Sequence, residues 1–396
     1  MSGYEDDGDL VPHHGKPSRT ATTKMPWWNP RYWARKVWIA VAVAVVIIVV
    51  VIGVAVGVTV SKNNAYPSYK ALSYTLQDTC KEPPRHSGET FFDQFNYFNT
   101  YDPVQPMASY TTSARPTPSS MQVLAEPAIY PPSPADQCQN LTYATSSAAV
   151  IKVDTTVGPG STPDASTGRF SVRIESKKTY NKGLFLFDVR HSPYGCAAWP
   201  ALWLTDPSHW PDHGEVDVLE AVNGGDAGNM MTLHTARGCS MRGRRRMTGQ
   251  ALDASCYVGD NSNAGCGVQG PAASFGAAFN RNQGGLMAVE WRDDGIRMWQ
   301  FARDGIPADI TGKKPTPDSW GTAAADFPNT HCDIGARFTN NSIIANIDLC
   351  GDLIEASWNS SSCGGGATCS NYVANKPAEF ANAYWEFGAF EVYQAS

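Results

Sequence analysis

The chain is expected to be all-β, with two antiparallel sheets packed face to face as a jelly-roll sandwich and one membrane-spanning helix ahead of them. Three observations predict this. Short stretches alternating apolar and polar residues recur from Phe170 to the C-terminal end, most of them bounded by Gly, Pro, Asn or Asp. Glycine and proline are abundant, at 35 and 27 of 396 residues, while charged residues make up only 17%, a turn-rich profile. After residue 60 no stretch keeps a helical period over three turns.

The elements follow in chain order. Residues 1–36 carry Glu5, Asp6, Asp7 and Asp9 and then six bases, without apolar periodicity, and are expected to be a disordered tail. From Val37 to Val60, 24 apolar or small residues run without a charge, enough for a helix to cross roughly 30 Å of hydrocarbon. Arg31, Arg35 and Lys36 crowd the N-terminal flank, with Trp27, Trp28, Tyr32, Trp33 and Trp38 as an interfacial belt, while only Lys62 lies close on the other side. The positive-inside bias predicts a single-pass type II protein, tail in the cytoplasm and the remainder outside, with the lipid bilayer as partner of residues 37–60. A cleavable signal peptide is disfavoured by the length of the run.

Residues 61–68 are expected to be a stem, and residues 69–396 one large domain. The Pro- and Ser-rich stretch 103–134 reads as an extended surface loop. Strands are expected at 170–176, 184–189, 201–204, 230–234, 286–291, 295–301, 343–347 and 384–393, and over the acidic run that begins at Glu215. All ten cysteines lie beyond the span, as an oxidising compartment favours. Their spacing forms no paired Cys-x-x-Cys zinc pattern, and no metal site is expected. Connectivity stays open, with Cys363 and Cys369, around a Gly-rich turn, a candidate local pair. Asn140, Asn340 and Asn359 are glycosylation acceptors. Six of the 31 basic and four of the 37 acidic residues lie in the first 36, which leaves the remainder at about −8 and excludes a nucleic-acid partner. Aromatics at 11% favour carbohydrate instead.

Chemistry concentrates in Glu215-Val-Asp-Val-Leu-Glu220. Val216, Val218 and Leu219 mark a strand, on which Glu215 and Asp217 share a face. Glu220 is at an odd offset and would face the other way. One extra residue, a β-bulge near Leu219, returns it to the same side. Like charges gathered this way are destabilising unless a cleft uses them, and two carboxylates about 5 Å apart are what retaining glycoside hydrolysis needs. Trp199, Trp203 and Trp210 stand just before the acids, and indole faces stack on the C–H faces of sugar rings. Arg242, Arg244, Arg245 and Arg246 form a basic knot, read as solvated loop surface, with an anionic wall polymer or headgroups as the alternative contact.

The segments Gly195-Cys-Ala-Ala-Trp-Pro-Ala-Leu-Trp-Leu204, Trp210-Pro-Asp-His-Gly-Glu-Val-Asp-Val-Leu-Glu-Ala-Val-Asn223, Leu233-His-Thr235, Asn263-Ala-Gly-Cys-Gly-Val268 and Asn346-Ile-Asp-Leu-Cys-Gly-Asp352 resemble glycoside hydrolase family 16, in particular the fungal laminarinase-like endo-1,3(4)-β-glucanases. The resemblance covers nearly everything from Tyr69 onward. It implies a concanavalin-like β-jelly roll and retaining cleavage of β-glucan polysaccharide with no cofactor. It matches Glu215 to the nucleophile, Glu220 to the general acid/base and Asp217 to the carboxyl between them. Trp203 and Trp210 match sugar-contacting rings and His234 a histidine at the site; Trp199, Asn223 and Trp291 are further candidate substrate contacts. Two departures stand out. Leu353 follows Cys-Gly-Asp where a Trp is expected, for which Trp358 could compensate, and Ala197-Ala198 replaces an expected Gly-Thr. The expected function is a retaining endo-glucanase on β-1,3 or mixed β-1,3/1,4-glucans. The alternatives are a membrane-anchored wall transglycosylase and, a distant third, a non-catalytic glucan-binding protein.

Overall fold

The computed structural model describes residues 34–80, 91–98, 108–110, 141–145, 147–156 and 169–395. Most of the expected tail, Trp27, Trp28, Tyr32 and Trp33 of the expected belt, nearly all of the 103–134 loop, Cys138 and Asn140 lie outside these residues. Two units emerge, one ending at Val60 and one running from Ser61 onward. The first contains most of the helix Arg35–Asn64. Its valines and isoleucines are exposed all round, and no described residue covers the apolar stretch Arg35–Lys62.

The second unit is built on two eight-stranded antiparallel sheets. One sheet runs, in spatial order, Ala325–Pro328, Gly295–Ala302, Gly285–Arg292, Gly183–His191, Tyr384–Ala395, Ala149–Lys152 and Thr142–Ala144, with Tyr74–Cys80 also paired to Tyr384–Ala395. The other runs Gln250–Ala251, Val268–Gln269, Met230–His234, Glu215–Glu220, Ala198–Thr205, Asn341–Leu349, Arg173–Tyr180 and Phe95–Tyr97. Between them lies one apolar core. Alternate residues of the second sheet (Leu202, Leu204, Ile343, Ala345, Ile347) meet Phe185, Phe187, Val189, Met287, Val289 and Phe387 of the first, as a sandwich requires. The chain therefore has the expected jelly-roll class, and among the described residues the helices after Asn64 are all short, the longest being Cys369–Asn375.

Among the described residues four disulfides join Cys196 to Cys363, Cys239 to Cys332, Cys256 to Cys266 and Cys350 to Cys369. The candidate pair Cys363–Cys369 is thus replaced by two longer-range links. Cys350 directly follows the strand Asn341–Leu349, and the sandwich brings the start of the 369–375 helix to it. Trp358 does not supply a sugar platform either. It is buried, donates from Nε1 to the Ala367 carbonyl at 2.7 Å and packs edge-on against Tyr372. The basic knot divides. Arg242 and Arg244 are exposed, whereas Arg245 donates to the Asp326 carbonyl at 2.6 Å with its guanidinium 4.7 Å from the Phe327 ring. Burial pulls the Arg245 pKa down to about 10. Arg246 covers the ring of Tyr66, so part of the expected stem is packed against the sandwich.

Candidate active site

Glu215–Glu220 lies inside the second sheet, between Ala198–Thr205 and Met230–His234. On one side Asp217 pairs with Trp203 and Leu219 with Leu202, while on the other Asp217 pairs with Thr232 and Glu220 with Met230. Both registers slip by one residue, which places a bulge at Val218–Leu219. Val216, Val218 and Leu219 consequently all enter the core at 1% exposure or less, and Glu215, Asp217 and Glu220 share the opposite face.

A bulge withdraws backbone groups from the ladder, and Asn229 takes them up. Its Nδ2 donates to the Val218 carbonyl and its Oδ1 accepts from the Glu220 N–H, each at 2.9 Å. Asn229 is fully buried, and its own N–H donates to Ser274 Oγ at 2.7 Å. This residue escaped the sequence reading. The only available signal was an Asn in a Gly- and Asp-rich turn, which by itself says turn.

His234 faces Glu215 across the strand pair. Its Nδ1 lies 3.0 Å from Asn263 Oδ1 and its Nε2 3.4 Å from Asp217 Oδ2, an ion-pair distance rather than a formed hydrogen bond. Asp217 Oδ2 is buried and has no hydrogen-bond partner. Gly265 makes the close approach possible. Its φ is +64°, and a Cβ there would fall 2.5 Å from Thr232 Cγ2 and 2.8 Å from His234 Cε1.

The charges form one coupled set. Burial first, and then the Glu215 charge, raises the Asp217 carboxyl well above its ordinary range. Burial also raises Glu220, against a hydrogen bond from Trp199 and the charge of His234. Burial disfavours the imidazolium of His234, but Asp217, Glu215 and Glu220 outweigh it and lift its pKa to about 10. These shifts have one meaning, a cluster that retains protons and carries less negative charge than three free carboxylates.

The tryptophans divide by role. Trp199 donates from Nε1 to Glu220 Oε1 at 2.7 Å, and the largely exposed Trp210 donates to Glu215 Oε2 at 2.5 Å. Trp203 donates to Asn346 Oδ1 at 2.7 Å, with the Arg173 guanidinium 5.1 Å from its ring. Trp291 is not among them. Its strand is buried on both faces, and the indole packs in the core at 6.2 Å from Phe185 and 6.4 Å from Phe338, which corrects its expected place as a sugar contact. Asn223, with φ +56°, accepts the Ala197 N–H on Oδ1 at 2.9 Å, so it braces the turn before Trp199. Ala197, where the resemblance calls for glycine, has φ +68°, a conformation that glycine adopts at less cost.

Residues 128–393 match the family model described as XgeA-like, catalytic GH16 domain. The chain belongs to glycoside hydrolase family 16. A probable glycosidase of Schizosaccharomyces pombe is 39% identical over 83% of this chain and 71% of its own length. An endo-1,3(4)-beta-glucanase of Arthroderma benhamiae is 35% identical over 82% of this chain and 65% of its own length. The structure of laminarinase 16A from Phanerochaete chrysosporium, with 6-O-glucosyl-laminaritriose in both donor and acceptor sites, is 38% identical with a TM-score of 0.69, covering 81% of this chain and 100% of that one. An elongating family 16 beta-1,3-glucosyltransferase superposes equally well at 31% identity, over the same shares of the two chains. Within this family 16 domain, Glu215, Asp217 and His234 are also close enough to share an ion, as are Asp206, His209 and His213.

Proposed function

We propose that this family 16 enzyme is a retaining endo-β-glucanase acting on β-1,3 or mixed β-1,3/1,4-glucans. The observation that carries the reading is the bulge at Val218–Leu219, which turns Glu215, Asp217 and Glu220 to one face while their three apolar neighbours stay in the core. In the first half-reaction a Glu215 carboxylate oxygen attacks the anomeric carbon, the glycosidic C–O bond breaks, and Glu220 gives its proton to the departing oxygen. In the second, Glu220 takes a proton from water as the water oxygen displaces Glu215. The raised Glu220 pKa suits the acid role, since the proton must still be present at working pH. Burial and the neighbouring Glu215 charge favour the protonated form of Asp217, with His234 Nε2 3.4 Å away, so negative charge beside the pair stays low. Trp203 and Trp210 supply stacking faces, and Trp199 orients Glu220.

Reducing-sugar release from laminarin and from a mixed-linkage glucan tests this. Wild type should act on at least one of them, and Glu215→Gln should lose about 10⁴-fold or more in kcat with an unchanged fold. Undiminished turnover in that variant refutes the assignment.

A second reading, transglycosylation, is favoured by the likeness to the elongating glucosyltransferase. Both routes share the glycosyl-enzyme and differ only in the acceptor. Oligosaccharides longer than a defined donor indicate transfer, whereas only shorter ones indicate hydrolysis.

The helix Arg35–Asn64 is read as a signal anchor. Its apolar, uncovered surface needs lipid, Arg35 and Lys36 against Lys62 point the N-terminus to the cytoplasm, and four disulfides in the following unit suit an extracellular or lumenal compartment facing the cell wall. Protease added to sealed vesicles should spare the catalytic unit and remove the N-terminal tail. The reverse pattern refutes the orientation.

A further inference from the structure

The segment from Asp206 to His213 carries Asp-x-x-His-x-x-x-His, a spacing that the expectation of no metal site passed over. It connects the Ala198–Thr205 strand to the acidic strand and is wound tightly. His209 N–H donates to the Asp206 carbonyl and His213 N–H to the His209 carbonyl, each at 3.1 Å, and Thr205 Oγ1 donates to the Gly214 carbonyl at 2.8 Å. Three potential ligand atoms converge as a result. His209 Nδ1 and His213 Nδ1 lie 2.9 and 2.8 Å from Asp206 Oδ2, and the two rings stack with centroids 4.4 Å apart.

The carboxylate is held from behind. Ser208 N–H donates to Oδ1 at 3.0 Å, and Asn340 Nδ2 donates to Oδ2 at 3.1 Å. Asp206 is 4% exposed, while its two histidine partners reach the surface. Oδ2 therefore faces three nitrogen donors, more than the two lone pairs of one oxygen can serve well. A cation in place of the two imidazole protons relieves this crowding.

We propose that Asp206, His209 and His213 bind one divalent transition-metal ion of the zinc type, with water completing the coordination. A carboxylate and two imidazoles make a familiar zinc ligand set, and the buried carboxylate with its Asn340 and Ser208 donors is the outer support such sites carry. Zn–N and Zn–O bonds of about 2.0–2.1 Å place tetrahedral ligand atoms roughly 3.3 Å apart. Each Nδ1 to Oδ2 separation then opens by about half an ångström, which exposed side chains allow. Trp210 lies between the two histidines and donates to Glu215, so the ion fixes the segment that carries a cleft tryptophan.

The full-length, tag-free chain, stripped with chelator, is titrated with ZnCl₂ by calorimetry, and bound zinc is counted after dialysis. One ion per chain is expected. Affinity should fall at least 30-fold in His209→Ala and stay within threefold of wild type in His234→Ala, with circular dichroism matching wild type in both. Zinc below 0.2 per chain, wild-type affinity in His209→Ala, or loss confined to His234→Ala, which would place the ion among the catalytic acids, each overturns the proposal.

Discussion

Asn229→Ala isolates the contribution of the bulge to catalysis. The fully buried side chain satisfies the Val218 carbonyl and the Glu220 N–H, each at 2.9 Å. Truncation leaves both backbone groups buried without a partner. At about 1–3 kcal/mol for each orphaned group, partly relieved by local adjustment, the expected loss is about 2–4 kcal/mol, or roughly 3–6 °C in Tm for a domain of this size. The effect on rate is separate. With its staple gone, the Val218–Glu220 segment can return toward a regular pleat, which turns Glu220 away from Glu215. Displacement of a catalytic group by about 1 Å can cost about 10²-fold, close to 2.7 kcal/mol of barrier. The assay is kcat and KM on laminarin at least 15 °C below the variant's own Tm, so that only folded enzyme is compared. Asn229→Asp, which still accepts from Glu220 but cannot donate to Val218 when ionised, should fall between wild type and Asn229→Ala. Wild-type kcat in folded Asn229→Ala would refute the claim that this side chain holds the bulge in its working form.

Four other outcomes follow from the same geometry. Trp291→Phe should lower Tm, since a core indole loses volume at about 1–3 kcal/mol, yet leave KM for laminarin unchanged; a raised KM with an unchanged Tm would return Trp291 to the cleft. Gly265→Ala should destabilise by about 1–3 kcal/mol through its positive φ and its contact with His234, and a neutral effect on both Tm and kcat defeats the argument. The folded pKa of His234 is raised from 6.5 to about 10, so its contribution to stability is complete below pH 6.5 and is lost as pH rises toward 10. Chemical denaturation between pH 6 and 10 should therefore show a steeper decline in wild type than in His234→Gln, and parallel curves contradict it. Ala197→Gly should raise stability by about 0.5–1 kcal/mol, because release of a left-handed alanine is worth about 1–2 against about 0.5–1 for the freer unfolded glycine; a lower Tm counts against it.

The interior strands were readable from sequence because each sends apolar residues into the core between turn-forming boundaries. Met230–His234 was expected and found with the same ends, and Leu184–Val189 and Gly295–Phe301 lie inside slightly longer strands. Tyr74–Cys80 was missed because it is mostly exposed along both faces, which erases the alternation. Gly285–Arg292 shows the opposite limit. Every residue is buried, so the pattern locates the strand and says nothing about which face Trp291 occupies.

The acids were legible for a further reason. Their odd spacing conflicts with a regular pleat, and a local rule that fails within an otherwise consistent strand marks a place where function overrides packing. The groups that resolve the conflict cannot be found in the same way. Asn229 reaches Val218 only after the chain turns and pairs again, Asn263 meets His234 through a loop closed by Cys256–Cys266, and Asn346 reaches Trp203 from a strand 143 residues away. Each is an asparagine whose neighbours in sequence give no sign of a partner. The acidic strand announces its chemistry because like charges side by side are costly anywhere. Its supports stay silent because an amide becomes informative only once register decides what it touches.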